Sequence, residues 1–314
     1  MSAVAMLVAL VLDAAIGWPD WLYRRIGHPV GWMGRVIAEA DLRFNRSELS
    51  DAVRRRNGIA VALAVTAATG GLAWCVTLVL PDGALGMAVA GVLAWPLLAA
   101  RSLDEHVRAV AESLADNDVS GAREAVSKIV GRDPATLDSP AMARAALESL
   151  AENASDGVVA PLFWGTFFGL PGIAAYKAVN TLDSMIGHRT VRHEAFGWAS
   201  ARIDDLANLV PARMTAVLLA CVSGAPRRVL RIVFRDARHH RSPNAGWPEA
   251  AMAGALHVKL SGPRIYAGHA GLSGDPFLNP NGSDPGAADI EAGLRVYRRA
   301  MILAAVLLVL LAVL

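Results

Sequence analysis

Apolar residues gather in blocks along this chain instead of alternating with polar ones. Two blocks match the length of a bilayer crossing, about 20 residues at 1.5 Å rise each. Gly58 to Leu80 runs 23 residues without a charge and Gly83 to Ala100 runs 18, with only Pro81 and Asp82 between them. A transmembrane helical hairpin is therefore predicted over 58–100. Residues 1–16 and 300–314 form shorter apolar runs, near the lower limit for a span, and are expected to cross with help from neighbours. Gly157 to Tyr176 is also uncharged, but Pro161, Gly165, Gly169, Pro171 and Gly172 interrupt it. Such a stretch reads either as a close-packing helix through Gly165 and Gly169 or as a broken segment buried against protein. Val210 to Val222 is an imperfect span because it carries Arg213.

Between the blocks the pattern changes. Leu103, Val107, Val110 and Leu114 recur at helical spacing, and Ser139 followed by Pro140 is a helix start, so 101–157 is predicted as a cytoplasmic helical insertion. From 224 to 299 the chain is basic and then turn-rich, with six Gly and four Pro between Ser261 and Gly286, which predicts a long loop. No internal repeat or strand-helix alternation is visible. The predicted fold is all-α: a multi-pass integral membrane protein with about four to six membrane segments, one of them re-entrant, and cytoplasmic helical loops. It is read as one domain over 1–314.

Composition agrees. The 314 residues are 54% hydrophobic and 18% charged, where soluble domains carry roughly 25% charged residues. Of 30 basic residues 27 are Arg, and eight of these lie between 17 and 57 whereas the 81–82 turn has none. The positive-inside rule then places 17–57 and 101–156 in the cytoplasm, and Arg295, Arg298 and Arg299 put the carboxyl terminus outside. A nucleic-acid partner is not expected at net charge +2 and 6% aromatic residues. Cys75 and Cys221 sit in apolar stretches and are read as small buried residues. No basic residue precedes Arg24, so the first apolar run is expected to be a retained helix and not a cleaved signal.

The candidate chemistry lies where apolar sequence breaks. Glu152 and Asp156 are four apart with Asn153 between them; Lys177, Asn180 and Ser184 fall at i, i+3 and i+7, and Asp183 is six beyond Lys177. Arg202, Asp205 and Asn208 step by three, with Asp204 four before Asn208. Residues three and four apart share a helix face, so each cluster can address one site. A charge at the bilayer centre costs about 2.5–3.5 kcal/mol even on the lenient insertion scale. Ion pairs that only fix helix packing are the plain alternative, but they do not call for Asn and Ser on the same faces. Carboxylates with Asn and a cation suit Mg2+ held through one or two carboxylates and substrate phosphates. No phosphate-binding G-x-x-x-x-G-K-[ST] loop is present.

Two further groups stand out. Ser242 to Ala250 specifies a rigid turn, with Asn244 inside it and Glu249 opening the next helix. Gly17, Trp18, Pro19, His28, Pro29, Gly34 and Arg35 form an amino-terminal loop rich in turn residues. His239, His240 and His257 lack metalloprotease spacing and are assigned no metal.

Taken together these segments resemble the CobD/CbiB family of cobinamide-phosphate synthases over nearly the whole chain. The resemblance rests on Glu152 to Phe163, Tyr176 to Met185, Arg202 to Asn208 and the Ser242 to Ala250 turn. Where the family usually shows Gly-Asp-Pro this chain has Gly17-Trp18-Pro19, with Asp20 close by. The resemblance implies a multi-pass protein of the cytoplasmic (inner) membrane with its active site facing the cytoplasm. It implies an ATP-dependent amide-forming ligase of cobalamin biosynthesis, joining adenosylcobyric acid, a corrinoid, to aminopropanol or its phosphate. Other cobalamin-assembly enzymes and membrane lipid are the implied neighbours.

On that basis Asp156, Asp183, Asp204 and Asp205 are expected to hold Mg2+ and phosphate, with Lys177 and Arg202 stabilising charge and Glu152 or Glu249 acting as base. Asn153, Asn180, Ser184, Asn208, Asn244, His28 and Arg35 are expected to contact substrate or nucleotide. Two other classes compete. An intramembrane Mg-dependent transferase would carry D-G-x-x-A-R or N-D-x-x-D, and neither occurs. A transporter built on a discontinuous helix would show two similar halves.

A re-entrant course for 157–176 is favoured by topology. If that stretch crossed the bilayer, Asp156 and Asp183 would end on opposite faces and could not share cytoplasmic ATP.

Overall fold

The computed structural model describes residues 2–130, 137–263 and 274–313. In chain order the helices are α1 (Ser2–Ile16), α2 (Asp20–Ile26), α3 (Pro29–Phe44), α4 (Asp51–Val79), α5 (Gly83–Ala94), α6 (Ala100–Ala115), α7 (Val119–Ser127), α8 (Ser139–Ala154), α9 (Ala160–Ile186), α10 (Trp198–Ala207), α11 (Leu209–Val222), α12 (Pro226–Asp236), α13 (Gly246–Leu256) and α14 (Ala287–Val313). A π-helical turn, Ser155–Val159, joins α8 to α9. A two-residue antiparallel pair, β1 (Leu260–Ser261) with β2 (Phe277–Leu278), lies in the turn-rich region; residues 264–273 of the predicted long loop fall outside the described residues. Four helical stretches are long and apolar enough to cross a membrane, or up to six if each of two bent pairs counts as one. The all-α, multi-pass prediction holds.

The chain divides into two compact units, each assembled from separated segments. The first comprises Met1–Ala99, Ala160–Asn208 and Leu307–Leu314. In it α9 is central, with α1, α3, α4 and α10 packed on it, while α5 lies along α1. The two helices of the predicted 58–100 hairpin are present, but α4 takes α9 as its main partner and α5 takes α1. Ile37, Val61, Leu182, Ile186 and Phe196 form a buried cluster that ties α3, α4 and α9 together.

Helix α9 is not straight. Gly169 has φ 64 and ψ −152, a conformation closed to L side chains with a Cβ, and Pro171 removes a backbone donor two residues on. In a continuous helix Trp164 and Gly172 would be about 12 Å apart along the axis. Here a Cβ on Gly172 would overlap the Trp164 carbonyl oxygen. Helix α1 shows which way each limb runs. A Cβ on Gly169 would lie 3.7 Å from Ser2 Oγ, and one on Gly165 would meet the Met6 side chain, so the first limb approaches the apex from the carboxyl-terminal direction of α1. The second limb returns along α4, from Gly70, where a Cβ would sit 3.7 Å from the Pro171 carbonyl oxygen, to Gly58, which abuts the Phe196 backbone. The segment is a sharply bent helical hairpin with its apex at Gly169–Pro171.

The second unit comprises Ala100–Val159 and Leu209–Val306. Helix α8 starts where the Ser139-Pro140 signal predicts, with Asp138 accepting from the Ala141 amide at 2.8 Å. Buried Glu148 accepts from the Ser261 amide at 2.7 Å, fixing α8 to the strand pair. Arg298 of α14 donates to Asp104 of α6 at 2.6 Å, so this arginine has a packing role besides the orientation signal read from it.

One sequence reading is corrected. Cys75 and Cys221 are both exposed on the protein surface, not buried. An apolar stretch in a membrane protein need not be covered by protein, because lipid can take that place.

Candidate functional site

In the first unit, the second limb of α9 carries Lys177, Asn180, Asp183 and Ser184 toward one end of the helix. Lys177 is 9% exposed and its Nζ donates to Asn180 Oδ1 at 3.2 Å. His28, which caps α3 by accepting from the Val30 amide at 3.2 Å, is close enough to Lys177 to feel its charge. Trp18, at the position where the family motif has Asp, rests edge-on against the His28 ring at 5.1 Å and donates to the Gly27 carbonyl at 3.2 Å. That residue braces the loop; it offers no carboxylate. Ser184 is exposed, its hydroxyl donating to the Asn180 carbonyl at 2.7 Å, and Arg35 is exposed on α3.

Asp183 and Asp205 are electrostatic neighbours, although they come from α9 and α10. Arg202 lies 3.6 Å from Asp205 and Arg189 also acts on that carboxylate, while His188 acts on Asp183. Together with Gly187, His193 and Trp198, the side chains of Arg189, Arg202 and Asp205 line a concavity at this end of α9. Asp204 sits apart from that opening. It is buried and accepts from Asn208 Nδ2 at 3.0 Å, while the Tyr176 hydroxyl donates to Asn208 Oδ1 at 2.9 Å. The structure therefore places Asp204 and Asn208 in an internal hydrogen-bonded chain and Asp205 at the open surface.

The loop between α9 and α10 carries none of the residues that helical spacing nominates. Its signal was the run His188-Arg189-Thr190-Val191-Arg192-His193 directly after the Asp183 motif. Tertiary contacts hold it to the Arg-rich start of α4. Buried Asp41 accepts from Arg192 Nη2 at 2.6 Å and from Asn45 Nδ2 at 2.7 Å, with His193 Nε2 at 3.4 Å. Arg54 donates to Asn45 Oδ1 at 2.7 Å and also to the Arg192 carbonyl, and Arg55 stacks over the Trp198 ring at 3.8 Å.

In the second unit, Glu152 and Asn153 are exposed on the last turn of α8, and Asn153 donates to the Ser149 carbonyl at 3.0 Å. Asp156 lies in the π-helical turn, a local irregularity that redirects side chains and is frequent at functional sites. The predicted Ser242 turn is present: Ser242 Oγ accepts from the Asn244 and Ala245 amides at 3.2 and 3.1 Å. Asn244 accepts from Arg213 Nη1 at 3.1 Å, and Arg213 also covers the Trp247 ring. That contact gives the arginine in the imperfect span a partner. Glu249 is 2% exposed, with His240 Nε2 3.6 Å away.

Among the described residues no three His, Cys, Asp or Glu gather as a metal-binding group. Asp183 and Asp205 do fit Mg2+, which takes one or two protein carboxylates and completes its shell with phosphate oxygens and water.

The family profile described as CobD/Cbib protein matches residues 6–297. "Cobalamin biosynthesis protein CobD" of Rhodobacter capsulatus is 59% identical over 299 residues, covering 95% of this chain and 94% of the relative. Proteins of the same name from a Sinorhizobium species and from Rhizobium meliloti are 47% and 48% identical, each over 95% of this chain and 95% and 94% of the relative. No solved structure matches. With the match running almost end to end, the chain belongs to the CobD/CbiB family.

Proposed function

We propose that the protein is an ATP-dependent amide-forming ligase of cobalamin biosynthesis that joins adenosylcobyric acid to aminopropanol or its phosphate at the cytoplasmic membrane. The observation that carries this reading is the convergence of Asp183, Asp205, Arg189 and Arg202 at one end of the bent helical hairpin. The relatives' name supports the pathway, and the positive-inside rule supports the side. The loop bearing Arg189 is held to the end of α4 that carries Arg54, Arg55 and Arg56, which supports a cytoplasmic location for this end, where ATP is.

A carboxylate does not condense with an amine in water without activation. In the proposed route a substrate carboxylate oxygen attacks the γ-phosphorus of ATP, ADP leaves, and the amine nitrogen displaces phosphate from the acyl phosphate, losing one proton. Asp183 and Asp205 would hold Mg2+, which supplies charge neutralisation along the phosphates when bound. Arg189 and Arg202 offset charge that develops on phosphoryl oxygens. Lys177, fixed by Asn180 next to His28, supplies a second cationic position deeper along the limb. The proton is released to water; Glu152 is an exposed carboxylate of the second unit, and Glu249, buried beside His240, is assigned to packing of α13.

Purified protein tests the reading directly. ADP should form only when adenosylcobyric acid and the amine are both present, and Asp183→Asn should abolish it in a protein that keeps its thermal unfolding midpoint. ADP release without the amine, or an unaltered rate in Asp183→Asn, would overturn it.

A further inference from the structure

The loop from Gly187 to Gly197 is not helical, and tertiary contacts hold it in place. At its end a Cβ on Gly197 would collide with the Ile186 carbonyl, and Phe196 is fully buried in the α3–α4–α9 cluster. In its middle, Arg192 is turned away from the concavity onto Asp41, across 151 residues of sequence. His193 fills the same inner position with its Nε2 edge, and its Nδ1 edge lies 3.4 Å from the Thr190 hydroxyl. Two consecutive residues are thus spent on holding the loop, and Arg189 is left on the wall of the concavity that Arg202 also lines.

The lining is mixed in charge: Arg189 and Arg202 against Glu194 and Asp205. A bare anion gains little from such a wall. A phosphate that brings its own cation suits it, because guanidinium groups take the phosphate oxygens in a planar fork while the carboxylates face the cation. MgATP meets that description through the metal, and an aminoalkyl phosphate meets it through its ammonium group.

We infer that this concavity is a phosphate-ester subsite in which Arg189 and Arg202 are the contacts and Asp41, acting through Arg192 and His193, is the positioning residue for the Arg189 loop. The identity of the two candidate ligands rests on the proposed ligase reading; the subsite itself does not.

Calorimetric titration of the full-length protein in detergent, with MgATP and with aminopropanol phosphate separately, tests it. Arg189→Gln should weaken one of the two ligands by tenfold or more and leave the other within twofold, which identifies the source of the phosphate. Arg189→Lys should fall between, since lysine keeps the charge and loses the fork. Asp41→Asn should raise KM for the same ligand with kcat changed less than threefold, a split that general destabilisation would not produce. If wild-type protein binds neither ligand, or if Arg189→Gln binds both within twofold of wild type, the subsite is wrong. Amide formation with both KM values independent of Arg189 removes the subsite and leaves the ligase reading. Arg189-dependent phosphate binding without amide formation does the reverse.

Discussion

Gly187 lies so close to the Asp183 carboxylate that a Cβ at that position would collide with Asp183 Oδ1. The chain needs this approach to leave α9 immediately after the aspartate and enter the Arg189 loop. The Gly187 amide also donates to the Asp183 carbonyl at 2.7 Å. Gly187→Ala should therefore displace the carboxylate. We expect a fall in ligase rate of roughly tenfold to a hundredfold, the scale on which an ångström of misplacement acts, with the protein still folded by circular dichroism. An unchanged rate would show that the position of Asp183 is not critical.

Gly58 makes the corresponding contact on the other side of the loop, where a Cβ would overlap the Phe196 carbonyl. Both partners are backbone or fully buried, so relief requires a helix shift. Gly58→Ala should cost about 1–3 kcal/mol, the range for overpacking a tight interior, read as a lower unfolding midpoint in detergent. Gly71, where a Cβ meets nothing within 4 Å, is the control and should tolerate alanine with little change.

Asp204 and Asp205 are adjacent in sequence and opposite in environment. Asp204→Asn weakens a buried chain through Asn208 and Tyr176 and should destabilise the protein by about 1–3 kcal/mol. Asp205→Asn, at the concavity, should lower the ligase rate with the unfolding midpoint nearly unchanged. Measuring both quantities on both variants separates the roles, and the reverse pattern would exchange them.

A re-entrant course for α9, proposed from the topology, predicts one-sided labelling. In a background with exposed Cys75 and Cys221 replaced, Thr190→Cys should react with an impermeant maleimide in inside-out vesicles and stay unlabelled in intact spheroplasts. Labelling only from the periplasm would mean that α9 crosses the bilayer.

Burial alone would push the Asp236 carboxyl up, but the Arg235 guanidinium at 2.7 Å and the Asn279 amide at 2.8 Å outweigh it and hold the group below its ordinary value of 3.8. A depressed native value contributes stability that is complete above the unfolded value and is lost as pH falls through the native one. Acid unfolding below about pH 4 should therefore be shallower in Asp236→Asn, which is already destabilised at neutral pH. Equal acid sensitivity in wild type and variant would remove Asp236 from the account.

Much of this protein is legible in its sequence. The uncharged blocks after Gly58 and Gly83 specify α4 and α5 because no bilayer-length apolar run can leave its backbone groups unpaired in lipid. Ser139 and Pro140 mark the start of α8, and Gly169-Leu170-Pro171-Gly172 marks a break, because φ restrictions act over a few residues. Helical spacing also brings Lys177, Asn180 and Asp183 onto one element. The tertiary structure decided the rest. Spacing could not distinguish Asp204 from Asp205, because which face of α10 is covered depends on Tyr176, 32 residues away from its partner Asn208. It could not nominate Arg189, whose loop has no periodicity and takes its shape from Asp41, Asn45 and Arg54. Nor could it pair α4 with α9 in place of α5, since local rules set where a helix begins and ends, whereas long-range packing sets which helix it meets.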